Sequence, residues 1–340
     1  MIFLKGLLKI AARTLYVLAA ALYKKKKVVC LINSEEDTYG NIVPILNELK
    51  NKNIDTDVIN GIKFNLAFND LFKIARAVIK LSKAKIIICD TTYPLLGIIN
   101  FGKNSEIIYV GHGGGAIKKM GFSRPSLGRS EDHLNRLYGQ FSWVIATTQN
   151  FDKELMLNYH IAQERILHYG FPRTDDLVRS MRANINQVKD IQRVLVAPTW
   201  DFGFDKKNIK NLLKQAPDNL KLRFRLHPNV ERMTRSMNDD IIWADILITD
   251  ASSIMLDYSL TEKPIIVVKI DEKFKKRFWI FPSELPGVNV ANTYEEALEM
   301  ASKGISIKHS KELKDKHMNN CDGFCTQRIS NFISERIDQK

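Results

Sequence analysis

The stretch Ile248-Thr249-Asp250-Ala251-Ser252-Ser253-Ile254-Met255-Leu256-Asp257-Tyr258 runs from an apolar, strand-like segment through two hydroxyls into a helical pattern. Asp250, Ser252 and Ser253 therefore fall where the first N–H groups of a helix point outward. Unpaired donors and the positive end of the helix dipole converge there, which favours a phosphate. The plainer reading makes Asp250 or Ser252 an N-cap. Three further polar turns follow strand-like segments, so four loops are placed to converge on one ligand.

The first of these is Tyr109-Val110-Gly111-His112-Gly113-Gly114-Gly115-Ala116-Ile117-Lys118-Lys119. Glycines such as Gly113 let the backbone approach a ligand closely, and His112 then has the type and place to accept a proton from an attacking hydroxyl. Lys118 and Lys119 are candidates for holding an acceptor phosphate. A flexible turn with a solvated histidine is the alternative. The second turn is Arg223-Phe224-Arg225-Leu226-His227-Pro228. Its proline fixes the turn, and His227, with Arg225 just before it, suits charge-assisted bonds to a leaving phosphate. A purely structural His-Pro turn competes with that reading. The third is Gly170-Phe171-Pro172-Arg173-Thr174-Asp175, where Arg173 either pairs bidentately with a phosphate or makes a hinge salt bridge to Asp175 or Asp176. In Ala197-Pro198-Thr199-Trp200-Asp201, Thr199 is a ligand candidate and Trp200 a packing residue.

Positioning these turns requires strands. Val28 to Ile32, Asp57 to Ile59, Ile86 to Cys89, Ile107 to Val110, Trp143 to Thr147 and Ile166 to His168 read as strands. Asn41 to Lys50, Leu66 to Lys83 and Asp152 to Tyr159 between them read as helices. A second series of strands begins at Arg193 and continues with Leu222 to Leu226, Asp245 to Thr249 and Pro264 to Ile270. Near-continuous β-branched runs separated by helices argue for parallel strands covered on both faces. Thr174 to Asp190 is polar without a strand pattern, so the junction between two open α/β domains is placed there, with a cleft between them. In such sheets ligands bind beyond the carboxyl ends of the strands, where all the polar turns lie.

At 340 residues the chain suits two domains of roughly 150 residues each. The balance of 51 Lys+Arg against 38 Asp+Glu gives +13, a bias toward anionic partners. Nucleic acid, anionic lipid and a phosphorylated polymer each satisfy that bias. No helix-turn-helix, zinc-finger or aromatic RNA-binding signature accompanies it, which argues against nucleic acid. Cys30 and Cys89 lie in apolar strand patterns as buried thiols. Cys321 and Cys325 have no partners at metal-ligand spacing. The chain reads as cytosolic.

Met1 to Tyr23 is largely apolar, and its charges Lys5, Lys9 and Arg13 recur every fourth position and share a helical face. Lys24-Lys25-Lys26-Lys27 follows at once. The uncharged run from Thr14 to Tyr23 is only about half of the ~20 residues a crossing needs. Residues 1–27 therefore read as an amphipathic basic helix lying in the interface of an anionic membrane, peripheral on its cytoplasmic face. An amphipathic helix packed on its own domain is the competing reading.

Taken in order, these segments resemble the CDP-glycerol glycerophosphotransferase family, the primases and polymerases of wall teichoic acid and some capsules. The likeness runs from about Lys27 to Ile333. Besides the turns above it includes Asp257-Tyr258, Lys263-Pro264-Ile265-Ile266, Leu285-Pro286-Gly287 and Asp322-Gly323 with Arg328. It implies an α/β fold of GT-B type, two Rossmann-like domains with parallel sheets facing an interdomain cleft. Residues 28–175 would handle the acceptor and 190–315 the CDP-alditol, with a C-terminal helix in 320–340 packing back on the first domain. It also implies His112 as base, with His227, Ser252 and Ser253 as donor-phosphate ligands. Two departures stand near these ligands. The family usually has Trp where Gly111 stands and Thr-Pro near Gly114-Gly115, and a tyrosine where Ala251 stands.

The expected activity is transfer of an alditol phosphate, most simply sn-glycerol 3-phosphate, from a CDP-alditol to a hydroxyl of a membrane-associated, lipid-linked saccharide or polyanionic polymer. Gly113, Lys118, Arg173, Thr199, Arg225, Asp250 and Asp257 complete the expected binding set. No cofactor is demanded by these motifs, although Mg²⁺ can enter with the substrate phosphates. The alternatives are another GT-B enzyme, such as a nucleotide-sugar glycosyltransferase or UDP-sugar 2-epimerase, and a silent protein that binds anionic polymer through its charge.

Overall fold

The computed structural model describes residues 2–32, 40–60, 68–102, 105–111, 117–124, 130–183, 191–199, 204, 206–226, 235–304 and 307–338. His112, Gly113, Trp200 and His227 lie outside them. The chain forms two compact units, one of residues 1–112, 120–173 and 324–340, the other of 113–119 and 174–323.

The first unit begins with helix α1 (Ile2–Leu22) and continues with β1 (Lys27–Ile32), α2 (Ile42–Asn51), β2 (Thr56–Asn60), α3 (Phe68–Ser82), β3 (Ala84–Cys89) and β4 (Glu106–Tyr109). Helix α4 (Glu131–Tyr138), β5 (Trp143–Ile145), α5 (Asp152–Tyr159) and β6 (Ile166–Leu167) follow. Its strands pair in the order β2-β1-β3-β4-β5-β6, all parallel. Val28 to Ile32 and Ile86 to Cys89 are buried without alternation, because helices cover both faces of a parallel sheet.

The second unit runs through α6 (Asp175–Ala183), β7 (Gln192–Ala197), α7 (Lys206–Gln215), β8 (Leu220–Phe224), α8 (Met237–Trp243), β9 (Ile246–Thr249) and α9 (Ile254–Ser259). It then adds β10 (Ile265–Val268), β11 (Asn289–Ala291), α10 (Tyr294–Lys303) and α11 (Lys311–His317). Strand order is β11-β10-β9-β7-β8, again parallel throughout. Val194, Val196, Ile246, Ile248 and Ile266 form the core of this sheet with Leu298 and Ala301 of α10. The last helix, α12 (Cys325–Asp338), belongs to the first unit and packs on α2. Two parallel α/β units of this kind make a GT-B type fold.

Part of the polar segment at the expected junction is described. Asp175 to Ala183 forms α6, with Leu177 and Val178 buried. Helix α1 packs one face, Ala12, Tyr16 and Ala19, onto the first unit, and lies against α3. Its opposite face leaves Leu7, Ile10, Val17, Leu18 and Leu22 exposed. Of the lysine run, Lys25 donates to the Ser105 hydroxyl at 2.8 Å and to Tyr16 at 3.2 Å, and Lys27 pairs with Asp55 at 2.9 Å. Of the four, Lys24 and Lys26 are exposed and Lys25 and Lys27 are half-buried.

Candidate active site

The strand ends of the second unit hold the phosphate-suited turn in place. Ala197 of β7 lies opposite Thr249 of β9, and the Thr249 hydroxyl donates to the Ala197 carbonyl at 2.7 Å. Asp250 then turns inward and is only 3% exposed. Its two oxygens accept the Thr199 N–H at 2.9 and 3.0 Å and the Tyr294 hydroxyl at 3.2 Å. The Thr199 hydroxyl and the Ala251 N–H also donate to it. Burial pushes the Asp250 carboxyl above its ordinary value while these donors pull the other way. Burial, and then the Asp250 charge, raise the Tyr294 phenol and keep it neutral. Asp250 and Thr199 thus hold one another, and their first role is to fix the loops after β7 and β9.

The reward for that anchoring is the conformation of the next two residues. Ser253 occupies the N-cap position of α9 in a helical conformation, with no side-chain cap. Ser252 Oγ only accepts a long 3.5 Å contact from the Ile254 N–H. Among the described residues, the N–H groups of Ser252 and Ser253 and the Ser253 hydroxyl have no hydrogen-bond partner. Two amides and two half-buried hydroxyls are therefore presented at a strand end, the donor set an anion needs. Asp257, one turn further, is 2% exposed, so its carboxylate is withdrawn from solvent.

Beside this turn, a cavity of about 480 Å³ opens beyond β9 and β10, with Asp250, Tyr294, Phe204, Asn208, Lys269 and Phe274 in its wall. Phe204 and Tyr294 meet at 4.7 Å between ring centres. An aromatic wall with amide and ammonium groups suits a flat, polar base.

Arg225 does not stand open to solvent. It donates to Asp240 at 2.8 Å and to the Arg235 and Ser236 carbonyls at 3.2 and 3.3 Å. Asp240 is completely buried and also meets Arg223 at 3.4 Å and Arg235 at 3.1 Å. Arg225 therefore ties together the two ends of the segment that carries His227.

Lys118 and Lys119 belong to the second unit. Lys118 forms an antiparallel bridge with Phe278, the Lys119 N–H donates to Arg277 at 3.0 Å, and the Trp279 N–H donates to Ile117 at 2.7 Å. The Lys119 ammonium lies 4.9 Å from the Trp279 ring centre, a cation–π contact.

In the first unit, β4 delivers the chain to His112 through Gly111. Gly111 has φ +73°, and a Cβ there would sit 2.8 Å from Phe171. The Phe171 ring occupies the space beside Gly111, which is why this chain has no bulky residue at that position. Asn41, 1% exposed, donates to the Val110 and Gly111 carbonyls, both at 3.0 Å, and accepts the Arg173 N–H at 3.2 Å. Arg173 is 9% exposed, with its guanidinium 5.0 Å from the Phe171 ring. Asp176, one of its expected hinge partners, pairs with Arg179 at 2.6 Å.

Sequence reasoning missed Asn41, Asp240 and Tyr294. Asn41 reads as a helix cap, but its side chain makes no cap bond and instead serves groups 69, 70 and 132 residues away. Among the described residues, no group of three or more His, Cys, Asp or Glu is placed to hold a metal ion.

The family described as CDP-Glycerol:Poly(glycerophosphate) glycerophosphotransferase matches residues 14–335. The chain is 23% identical over 93% of its length to the teichoic acid poly(ribitol-phosphate) polymerase of Bacillus spizizenii, and spans 58% of that protein. It is 25% identical to the teichoic acid glycerol-phosphate primase of Bacillus subtilis, over 77% of the chain and 76% of the primase. The solved structure of the wall teichoic acid polymerase TagF superposes with a TM-score of 0.74 at 19% identity, covering 97% of this chain and 93% of that one. A match over nearly the whole chain, carried on the same two parallel sheets, makes this protein a member of the CDP-glycerol:poly(glycerophosphate) glycerophosphotransferase family of transferases.

Proposed function

We propose that the protein transfers an alditol phosphate, most simply sn-glycerol 3-phosphate, from a CDP-alditol to a hydroxyl of a membrane-associated, lipid-linked saccharide or polymer. The hydroxyl oxygen attacks the β-phosphorus, the bond to the bridging oxygen breaks, and CMP leaves. The acceptor proton passes to His112. The observation that carries this reading is the turn at Ser252 and Ser253, whose open amides and hydroxyls follow Asp250, a wall residue of the cavity of about 480 Å³. The diphosphate sits on that turn with His227, while the cytosine enters the cavity beside Phe204 and Tyr294. Arg173 and Lys118 supply positive charge to the donor and acceptor phosphates, in a step whose charge develops on the leaving oxygen. Thr199, Arg225, Asp250 and Asp257 act behind these groups by holding the loops, and Gly113 gives the acceptor room. Any Mg²⁺ arrives with the substrate phosphates.

The acceptor reading rests on α1. No described helix is long and apolar enough to cross a membrane, yet α1 keeps a row of exposed apolar residues opposite its packed face. That row, with Lys9, Arg13, Lys24 and Lys26 exposed on and after the same helix, suits a helix half-sunk in an anionic surface. The enzyme then works peripherally, at the cytoplasmic face of the cell membrane.

Purified protein given CDP-glycerol and a lipid-linked acceptor should release CMP. His112→Ala should abolish that release, and Ser252→Ala/Ser253→Ala should lower it by roughly a hundredfold. CMP release that persists in the His112 variant would remove the base. Stronger thermal stabilisation by UDP than by CDP would turn the reading toward a nucleotide-sugar enzyme.

A further inference from the structure

The first unit carries a second cavity, of about 540 Å³, that none of the chemistry above uses. Its wall is built from α1, from the segment 98–100 and from α4. Two arginines, Arg13 and Arg136, line it, together with Tyr16, Asn135 and Gln140. Val17, Ile98 and Ile99 provide an apolar side. The wall is stitched from within. Gln140 donates to the carbonyls of Leu96, Ile99 and Arg136 at 2.8, 3.1 and 2.8 Å, and accepts the Phe101 N–H at 3.1 Å. Arg13 is anchored by one bond only, Nε to the Ile98 carbonyl at 2.8 Å. Its two Nη groups have no partner among the described residues. Arg136 touches Asp132, whose side chain is 71% exposed, and such a surface pair yields readily to a stronger anion.

We propose that this cavity binds the phosphate of an anionic membrane lipid, with its tail leaving along the exposed row of α1. The inference rests on the reading of α1 as a membrane-seated helix. Charge and polarity divide the cavity in the way such a lipid is divided. A planar fork with free donors takes a phosphate in two bonds, and the amide of Asn135 flanks a headgroup. Val17 is both a wall residue and 65% exposed, so the apolar side of the cavity runs out toward the exposed Leu18 and Leu22 of the same helix. A general attraction of basic residues to an anionic surface needs no cavity and no ordered partners. The Arg13 site therefore selects a single lipid, and it fixes the rotation of α1 on the membrane.

The test uses full-length protein and dihexanoylphosphatidylglycerol held below its micellar concentration. Saturable one-site binding is expected, with inorganic phosphate and dihexanoylphosphatidylcholine binding at least tenfold more weakly. Arg13→Gln/Arg136→Gln should weaken the phosphatidylglycerol at least tenfold, while Lys9→Gln/Lys24→Gln, which removes the same charge, should change it less than twofold. Asn135→Trp keeps both arginines and fills the mouth, so it should also block binding in a protein whose melting curve is unchanged. Equal losses in the two charge-removal variants, undiminished binding in Asn135→Trp, or phosphate binding as tightly as the lipid would overturn the proposal. Vesicle flotation reports the membrane reading separately. Leu18→Glu/Leu22→Glu should release the protein from phosphatidylglycerol vesicles while leaving short-chain binding intact. Flotation without any one-site binding sinks the pocket alone, and one-site binding without flotation sinks the membrane seat alone.

Discussion

The Asp250 carboxylate receives the Thr199 backbone N–H on both of its oxygens, at 2.9 and 3.0 Å, in a position where almost no solvent reaches it. A carboxylate buried this way survives because every lone-pair direction meets a donor. Asp250→Asn replaces an acceptor by an NH₂ group that faces other N–H donors. The expected cost is roughly 2–4 kcal/mol of stability, against about 1 kcal/mol for Tyr294→Phe, which removes one bond and leaves a shared acceptor. Both losses are read from urea midpoints. Asp250→Asn should also raise the KM for CDP-glycerol well above that of Tyr294→Phe, because the serine turn is hung from this carboxylate. Equal stabilities for the two variants would deny Asp250 its place as the hub.

Gly111→Ala should be damaging for two separable reasons. The backbone there is left-handed at φ +73°, and the added methyl lands 2.8 Å from the Phe171 ring. Strain of this kind costs about 1–3 kcal/mol, and the clash adds to it. Gly111→Ala/Phe171→Leu relieves the clash but not the backbone, so it should recover part of the stability and never all of it. Turnover should fall in both, since Gly111 directly precedes His112, the proposed base. Full recovery in the double variant would mean that the conformation of Gly111 does not matter.

The parallel strands were legible because burial on both faces leaves unbroken apolar runs. Val28 to Ile32 and Ile86 to Cys89 were readable to within two residues of β1 and β3. Strand β11, with Asn289 at its start, has no such run, since it lies at a sheet edge. The serine turn was legible for the same reason: a strand end, hydroxyls and a helix start are all local features. What the sequence concealed is who holds the turn. Asp250 reads as a ligand or a cap until Thr199 and Tyr294 are seen around it, and these lie 51 and 44 residues away. Arg225 reads as a phosphate clamp until the buried Asp240 takes it. The second apolar face of α1 was hidden too, because a helix apolar over most of its surface gives no sign of which side a domain will cover.

Arg225 and Asp240 should behave as a unit. Asp240 is fully buried and Arg225 is 15% exposed, so removing either strands a partner. A double-mutant cycle of Arg225→Ala and Asp240→Ala should give a coupling energy of about 1–3 kcal/mol. Arg225→Lys keeps the charge but cannot bridge to Arg235 and Ser236 as well as Asp240, so it should restore stability in part and CMP release less. Additive single losses would show that the two act apart, and would free Arg225 to be a direct phosphate ligand.

Acid should loosen the second unit through His317. The side chain is fully buried at the end of α11, and burial, with Lys316 adding to it, pulls the imidazole down to about 4. In the unfolded chain the same group takes up its proton near pH 6.5. Between those values the unfolded state binds more protons, so stability rises with pH there and is lost as pH falls. The full contribution is present above about pH 6.5, and up to about 3 kcal/mol is gone by pH 4. His317→Leu fills a similar volume without a proton site. Its urea midpoint should fall less steeply than that of the unaltered protein between pH 7 and pH 4.5. Because α11 packs on α9, the KM for CDP-glycerol should also rise with acid more gently in the variant. Parallel pH profiles for the two proteins would mean that the imidazole is protonated in the fold and that the acid response comes from the carboxylates.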